Sequence, residues 1–178
     1  MQRIVSGITS LEHHFRALLL SPEVYRPRAC LHCGSVVLWG HGRYYRKADR
    51  GRDPGACRNP VPILRYCCAR CSRTCSRLPL CIAPRRWYDW AVQQAVLQFV
   101  LNGDSLRRCS RWTCLDRRTV RRWRDWLNAR SETFIFFLRS RFPEWGRSPD
   151  QPSFWRKVLE STPLASVMAW LDREMTVP

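Results

Sequence analysis

Cys30-Leu31-His32-Cys33-Gly34 and Cys68-Ala69-Arg70-Cys71-Ser72 are the stretches whose reading decides the fold. Each is a CxxC pair followed by a small residue, a pattern that bends into a tight knuckle and turns both sulfurs toward one point. Two knuckles supply the four tetrahedral thiolates of a structural zinc site, so Cys30, Cys33, Cys68 and Cys71 are the expected ligands. A disulfide framework is the other reading of paired cysteines. It needs an oxidising compartment, and no export signal precedes the pairs, which makes an intracellular protein the expectation. The 34 residues between the pairs exceed the usual ~15–20. The polar stretch 47–60, with two Gly and two Pro, reads as a loop that absorbs the excess, because loop length costs little entropy. Cys67 abuts Cys68, but the knuckle spacing prefers Cys68. A second metal involving Cys57, Cys75 and Cys81 stays open, and Cys109 and Cys114 read as small buried hydrophobes.

Between the knuckles, Val36–Trp39 and Arg43–Arg46 flank Gly40-His41-Gly42 in a hairpin-like arrangement, and Val61 to Cys67 can form a third strand. Residues 25–84 therefore read as a zinc ribbon. A domain of about 60 residues has little core, so metal ligation supplies on the order of 10 kcal/mol of its folding energy. Ahead of it, residues 1–24 hold a short helix over 10–20, with Thr9 and Glu12 in a capping-box pattern. After Pro84 the apolar period becomes helical through Tyr88, Ala91/Val92, Ala95/Val96 and Phe99, and Asn102-Gly103 stops that helix. Two further helices are expected at about 105–112 and 116–129. Residues 131–178 are again helical in pattern, with breaks at Pro143, Gly146, Pro149 and Pro163. The expected fold is mainly α with a small β zinc ribbon: a three-helix helix-turn-helix core over 85–130 plus flanking helices.

On the helix opening at Asp116, Val120, Trp123, Trp126 and Leu127 fall on one side at 100° per residue. Arg117, Arg118, Arg121, Arg122 and Arg124 fill the other. Such a helix fits the DNA major groove, where arginine donates two hydrogen bonds to guanine. The bland alternative is a solvated basic face. Charge placement favours the nucleic-acid reading. The whole chain carries 31 Lys+Arg against 14 Asp+Glu, a net of +17. Residues 25–88 hold 14 basic and 2 acidic groups, residues 89–130 hold 9 and 4, and both ends are neutral. Arg43, Arg46 and Arg65 of the ribbon are the candidates for phosphate contact. No apolar run reaches the ~18–20 residues of a membrane span.

CxxCG, then a Gly42-to-Arg46 hairpin motif, then R-Y-x-C-x-x-C-x-x-T over Arg65 to Thr74, then the helix-turn-helix, resembles the DNA-binding part of bacterial insertion-sequence transposases and their short regulatory proteins. The similarity covers roughly residues 28–130. It implies Cys30, Cys33, Cys68 and Cys71 as zinc ligands and 116–124 as the base-reading helix. Cys75 stands where that ribbon pattern has an aromatic residue, and Cys114 where the turn expects Gly. In those transposases an RNase H-like catalytic domain follows; here 48 residues follow position 130, too few for it. The expectation is a non-enzymatic, zinc-dependent, sequence-specific double-stranded DNA-binding protein of the nucleoid: a transposon-associated regulator, accessory factor or truncated transposase. Two alternatives stand beside it. One is an RNA-binding ribbon using Trp39, Tyr44, Tyr45 and Tyr66 as stacking rings. The other is a transposase with catalytic acids not recognised. The apolar positions of 131–178 either pack on the helix-turn-helix or form a surface for self-association or a transposition protein.

Overall fold

The computed structural model describes residues 3–49, 57–84, 88–175 and 177. About half of the chain is helical and about 14% is strand, so the architecture is mainly α with a small sheet. It divides into two compact units, one formed by Met1–Asp89 with Asp172–Pro178 and the other by Trp90–Leu171.

In the first unit, β1 (Ile4–Val5) runs parallel to β5 (Leu78–Pro79), and β2 (Leu38–Arg46), β3 (Val61–Cys68) and β4 (Thr74–Cys75) form an antiparallel sheet in the order β2-β3-β4. Helix α1 (Leu11–Leu20) is capped by Ser10, whose hydroxyl accepts the His13 N–H at 3.0 Å. The cap thus lies one residue later than the Thr9 pattern predicts, because Ser10 offers the same oxygen from an extended backbone. The sequence also predicts two short strands around Gly40-His41-Gly42. They are instead one strand, β2. The register slips between Gly40 and Arg43, three residues of β2 matching two of β3, and Gly42 takes φ 71° to absorb the extra residue.

β3 is flanked on both sides and buries both faces, but over different lengths. Val61 and Ile63 enter one cluster with Leu78 and Ile82. Tyr66 and Cys68, of opposite parity, enter another with Leu38, Cys75, Tyr25 and Ala17. The core therefore changes face midway along the strand, and α1 contributes Phe15 to the first cluster and Ala17 to the second. His14 of α1 is fully buried between them. It is hydrogen-bonded through Nδ1 to the Tyr25 hydroxyl at 2.5 Å and through Nε2 to the Pro62 carbonyl at 2.9 Å. The carbonyl can only accept, so Nε2 carries the ring proton and Tyr25 donates to Nδ1. Asp172 closes this unit: its Oδ2 accepts the backbone N–H groups of Arg3 and of Ile4, the latter at 2.8 Å.

The second unit is helical. α2 (Trp90–Leu101) ends at Gly103, whose φ of 87° takes the left-handed stop expected of it. The expected start near 86 falls in residues 85–87, which lie outside the described residues. α3 (Leu106–Thr113) is capped by Ser105, and α4 (Arg117–Arg141) by Asp116, which accepts the Arg118 N–H at 2.6 Å. The sequence reading ends α4 near 129. It continues twelve residues further, since nothing between Arg130 and Arg141 breaks a helix and Pro143 is the first residue that does. α5 (Gln151–Ser161) and α6 (Leu164–Glu174) follow, the last turn of α6 belonging to the first unit. The side chain of Gln94 on α2 holds the α5–α6 corner, donating to the Leu159 carbonyl at 3.0 Å and accepting the Leu164 N–H at 2.7 Å. Both are orphan groups of helix ends that would otherwise be buried unpaired. Phe134, Leu138, Phe154, Trp155, Val158 and Leu164 fill this core, and the Trp155 indole donates to Ser131 Oγ at 2.9 Å.

Candidate metal centre and basic helix face

Pairing of β2 with β3 places Leu38 opposite Cys68, which brings the two knuckles together across the 34 residues that separate them in sequence. The knuckles share one backbone geometry. In the first, Gly34 N–H bonds back to Cys30 O at 3.0 Å and Cys30 N–H to Ser35 O at 2.7 Å; in the second, Ser72 N–H bonds to Cys68 O at 2.9 Å and Cys68 N–H to Arg73 O at 3.0 Å. Both turns close through the left-handed region, at Gly34 with φ 73° and at Ser72 with φ 55°. This is the physical reason for the small residue after each second cysteine. Ala69 N–H to Val37 O at 3.1 Å ties the second knuckle to the approach of β2.

The four sulfurs converge. Cys30 Sγ lies 3.6 Å from Cys71 Sγ, Cys33 Sγ lies 3.6 Å from Cys68 Sγ, and all four stay within 4.8 Å of one another. A tetrahedral ion at the metal–sulfur distance of about 2.3 Å requires sulfur separations of about 3.8 Å, so the group fits a metal ion without rearrangement. Backbone N–H groups prepare it. Those of Cys71 and Arg70 bring the Cys68 thiol down to about 6, and those of His32 and Cys33 lower Cys30. At Cys71 the Arg73 N–H also favours the thiolate, yet burial and the three neighbouring sulfurs push this thiol up to about 12. Four negative sulfurs at this spacing oppose one another unless a cation sits between them.

The other cysteines do not join. Cys75 and Cys81 sit in the two separate clusters of the first unit, and Cys57 is exposed near Asn59. Among the described residues no second group of metal-ligating side chains assembles. Cys109 is buried, whereas Cys114, read from sequence as a small hydrophobe, is exposed. It occupies the left-handed corner after α3, with φ 54° and ψ 32°.

That corner sets the basic helix. Leu115 N–H bonds to Ser110 O at 3.2 Å and Ser110 Oγ–H to Leu115 O at 2.6 Å, so the three-residue link from α3 to α4 is locked at both ends. On α4, Val120, Trp123 and Leu127 are buried, while Arg117, Arg118, Arg121 and Arg122 are all exposed on its first two turns. Arg124 stands apart: it is half-buried and tied to its neighbour Asp125, Nη2 to Oδ1 at 2.7 Å. Of the ribbon arginines, Arg43 is exposed, Arg46 donates to Ala83 O at 3.2 Å, and Arg65 donates to Thr74 Oγ1 at 3.2 Å. The sequence reading passed over α3, where Arg107, Arg108 and Arg111 are exposed as well. Arg108 is paired with Asp104 and lies 4.2 Å above the Trp112 ring. The one-turn spacing of 107/108 and 111 was the available signal.

The four rings considered for base stacking do not gather. Tyr66 is buried and Tyr44 is half-buried. Trp39 and Tyr45 are each 63% exposed, but they pair with Cys67 and Pro62, which have opposite parity on β3, and so point from opposite faces of the sheet. Among the described residues no helix is long and apolar enough to cross a membrane. Comparison of the chain with protein-family models, curated proteins and solved structures returns no match.

Proposed function

We propose that the chain is a zinc-dependent, sequence-specific double-stranded DNA-binding protein, in which the first unit is a zinc ribbon and α2, α3 and α4 form a helix-turn-helix core. The observation that carries the reading is the two-sided start of α4. Four arginines, with no ion pair among the described residues, occupy the exposed side of two turns, and a buried Val120-Trp123-Leu127 stripe fixes the other side. Arg117, Arg118, Arg121 and Arg122 then reach base edges, and Arg107 and Arg111 of α3 meet phosphate. Arg43, the exposed ribbon arginine, adds a phosphate contact; Arg46, Arg65 and Arg124 are spent first on bonds within the protein. All-sulfur tetrahedral ligation selects zinc among abundant divalent ions. With the resemblance of residues 28–130 to the end-binding part of insertion-sequence transposases, the reading extends to a transposon-associated regulator or accessory factor that binds without catalysing strand transfer.

Selection of bound sequences from a random duplex library, with and without zinc, tests this. The reading requires an enriched motif in the zinc-loaded protein and a steep fall of affinity with salt, about one unit of log–log slope for each phosphate contact. Salt-insensitive binding, or preference for single-stranded RNA over duplex in competition, contradicts it. Magnesium-dependent strand transfer by the protein alone would make it an enzyme instead.

A further inference from the structure

The second half of α4 carries an exposed stripe outside the core of the second unit. Glu132, Phe136 and Arg139 fall within about 60° of one another at 100° per residue, and all three are exposed, Phe136 to 67%. The stripe opens onto a cavity of about 640 Å³, in which Ile135 and Pro149 provide apolar wall beside Phe136. Asp150, also in the lining, is engaged as the cap of α5. Among the described residues neither Glu132 nor Arg139 enters an ion pair. Arg139 is nonetheless held in place: its Nη2 donates to the Ser148 carbonyl at 3.3 Å, and its guanidinium lies 5.5 Å from the centre of the Phe154 ring. The stripe also belongs to the neutral part of a strongly cationic chain. Residues 131–178 hold 6 basic and 6 acidic groups, against a net of +17 for the whole.

We propose that this stripe is the interface of a homodimer, in which the second halves of two α4 helices pack antiparallel about a two-fold axis between Ile135 and Phe136. The order of charges along the stripe selects a second copy as the occupant. An antiparallel pair matches positions equally far on either side of the axis, so Glu132 of each copy meets Arg139 of the other. Two ion pairs thus flank the two phenylalanines. A parallel pair would set Glu132 against Glu132 and Arg139 against Arg139, and like charges in contact oppose association. Each Phe136 enters the cavity of the other copy against Ile135 and Pro149, which removes both exposed rings from water. Such a contact is isologous and closes at two subunits. Its location suits the charge, because two cationic chains repel and approach best through a surface without net charge. Under the DNA-binding reading the two-fold axis inverts the two α4 starts, and the site they recognise is an inverted repeat; the association itself does not depend on that reading.

Sedimentation equilibrium of the zinc-loaded full chain, without DNA, tests the assignment. A series from about 1 µM to about 200 µM resolves a Kd anywhere in that range. About 0.15 M salt screens repulsion beyond about 8 Å. The weight-average mass should rise from the 21.1 kDa of one chain toward twice that value. Phe136→Ser should weaken association by about tenfold or more, with circular dichroism and thermal midpoint showing that the fold is kept. Glu132→Arg and Arg139→Glu should each weaken it when alone, because each sets like charges across the axis. Mixing the Glu132→Arg chain with the Arg139→Glu chain should restore a dimer, since both contacts are then of opposite charge. The mass of a single chain throughout the series, growth beyond a dimer, full association in folded Phe136→Ser, or no recovery on mixing the two folded charge variants would overturn the proposal. Mass is read without DNA, so loss of duplex recognition does not alter this outcome, and a monomer leaves the DNA-binding reading standing.

Discussion

Cys114 shows what a single backbone position demands. The corner between α3 and α4 requires φ of 54°, a region that costs a residue with a Cβ about 1–2 kcal/mol. The Cys114 side chain is exposed, so little packing offsets that cost. Cys114→Gly should raise stability by about 1 kcal/mol, read as a higher urea midpoint at unchanged slope. His14 makes the opposite kind of demand. Burial lowers its pKa below the ordinary 6.5, against the opposing effect of the Pro62 carbonyl. The folded protein therefore holds it neutral. Above pH 6.5 both folded and unfolded chains carry a neutral ring and its packing counts in full. As pH falls below 6.5 the unfolded chain takes up the proton first, and stability is lost. Asp172 runs the other way: burial raises its carboxyl to about 6 despite the Ile4 and Arg3 N–H bonds, so its contribution is largest in acid and declines as pH rises through 6. The His14 term is isolated by comparing wild type with His14→Gln. The stability gap between them should narrow as urea melts move from pH 7.5 to pH 5.5.

At the scale of the element, α4 joins a basic first half to an apolar second half in one continuous helix. Its exposed arginines carry no packing, whereas Trp123 is fully buried. The two sets of side chains should separate cleanly on substitution. Arg118→Ala or Arg121→Ala should cost about 1–3 kcal/mol of binding to the selected duplex and relax preference at one base position, with the thermal midpoint unchanged. An intact sequence preference with a shallower salt slope would assign the arginine to phosphate. Trp123→Ala should cost about 3–5 kcal/mol of stability, measured by thermal unfolding. The helix itself was legible from the 3.6-residue period of Val120, Trp123 and Leu127 and from the Asp116 cap. Its length was not. The sequence divides at residue 130 because the charge changes there, but composition is no helix breaker. Likewise the break between two strands at Gly40-His41-Gly42 became a bulge, because a glycine at positive φ lets a strand absorb an extra residue as readily as turn back.

For the molecule as a whole, the division into two units gives the metal a local task. The first unit has two small apolar clusters and a four-sulfur cluster at the end of its sheet; the second has an aromatic-rich helical core with no metal-ligating group among its described residues. Chelation should therefore unfold the first unit and leave α2 to α5 helical. Far-ultraviolet circular dichroism would retain most of its helical signal while the amides of β2 and β3 lose protection from hydrogen exchange. Cys30→Ser or Cys71→Ser should reproduce that state and lower zinc content. Complete loss of helicity on chelation would show that the metal supports both units. The apolar residues of 131–178 belong to the same account. Phe134, Leu138, Phe154, Trp155 and Val158 are consumed by the second unit's own core, and Phe136 is 67% exposed.

The sequence by itself determined what depends on neighbours along the chain. The knuckle spacing, the Asp116 cap, the glycine stop after α2 and the one-sided arginine pattern of α4 all act within a turn or two of backbone. Only the tertiary structure decided what depends on residues far apart. Strand pairing brought Cys30 to Cys71 and Cys33 to Cys68 and sent Trp39 and Tyr45 to opposite faces. Burial spent the C-terminal aromatics on a core, and the return of Asp172 to Arg3 and Ile4 joined the two ends of the first unit. The reason is physical: dihedral preference and side-chain period are local and repeat in the sequence. Register, burial and the convergence of charges are set by contacts whose partners lie tens of residues away.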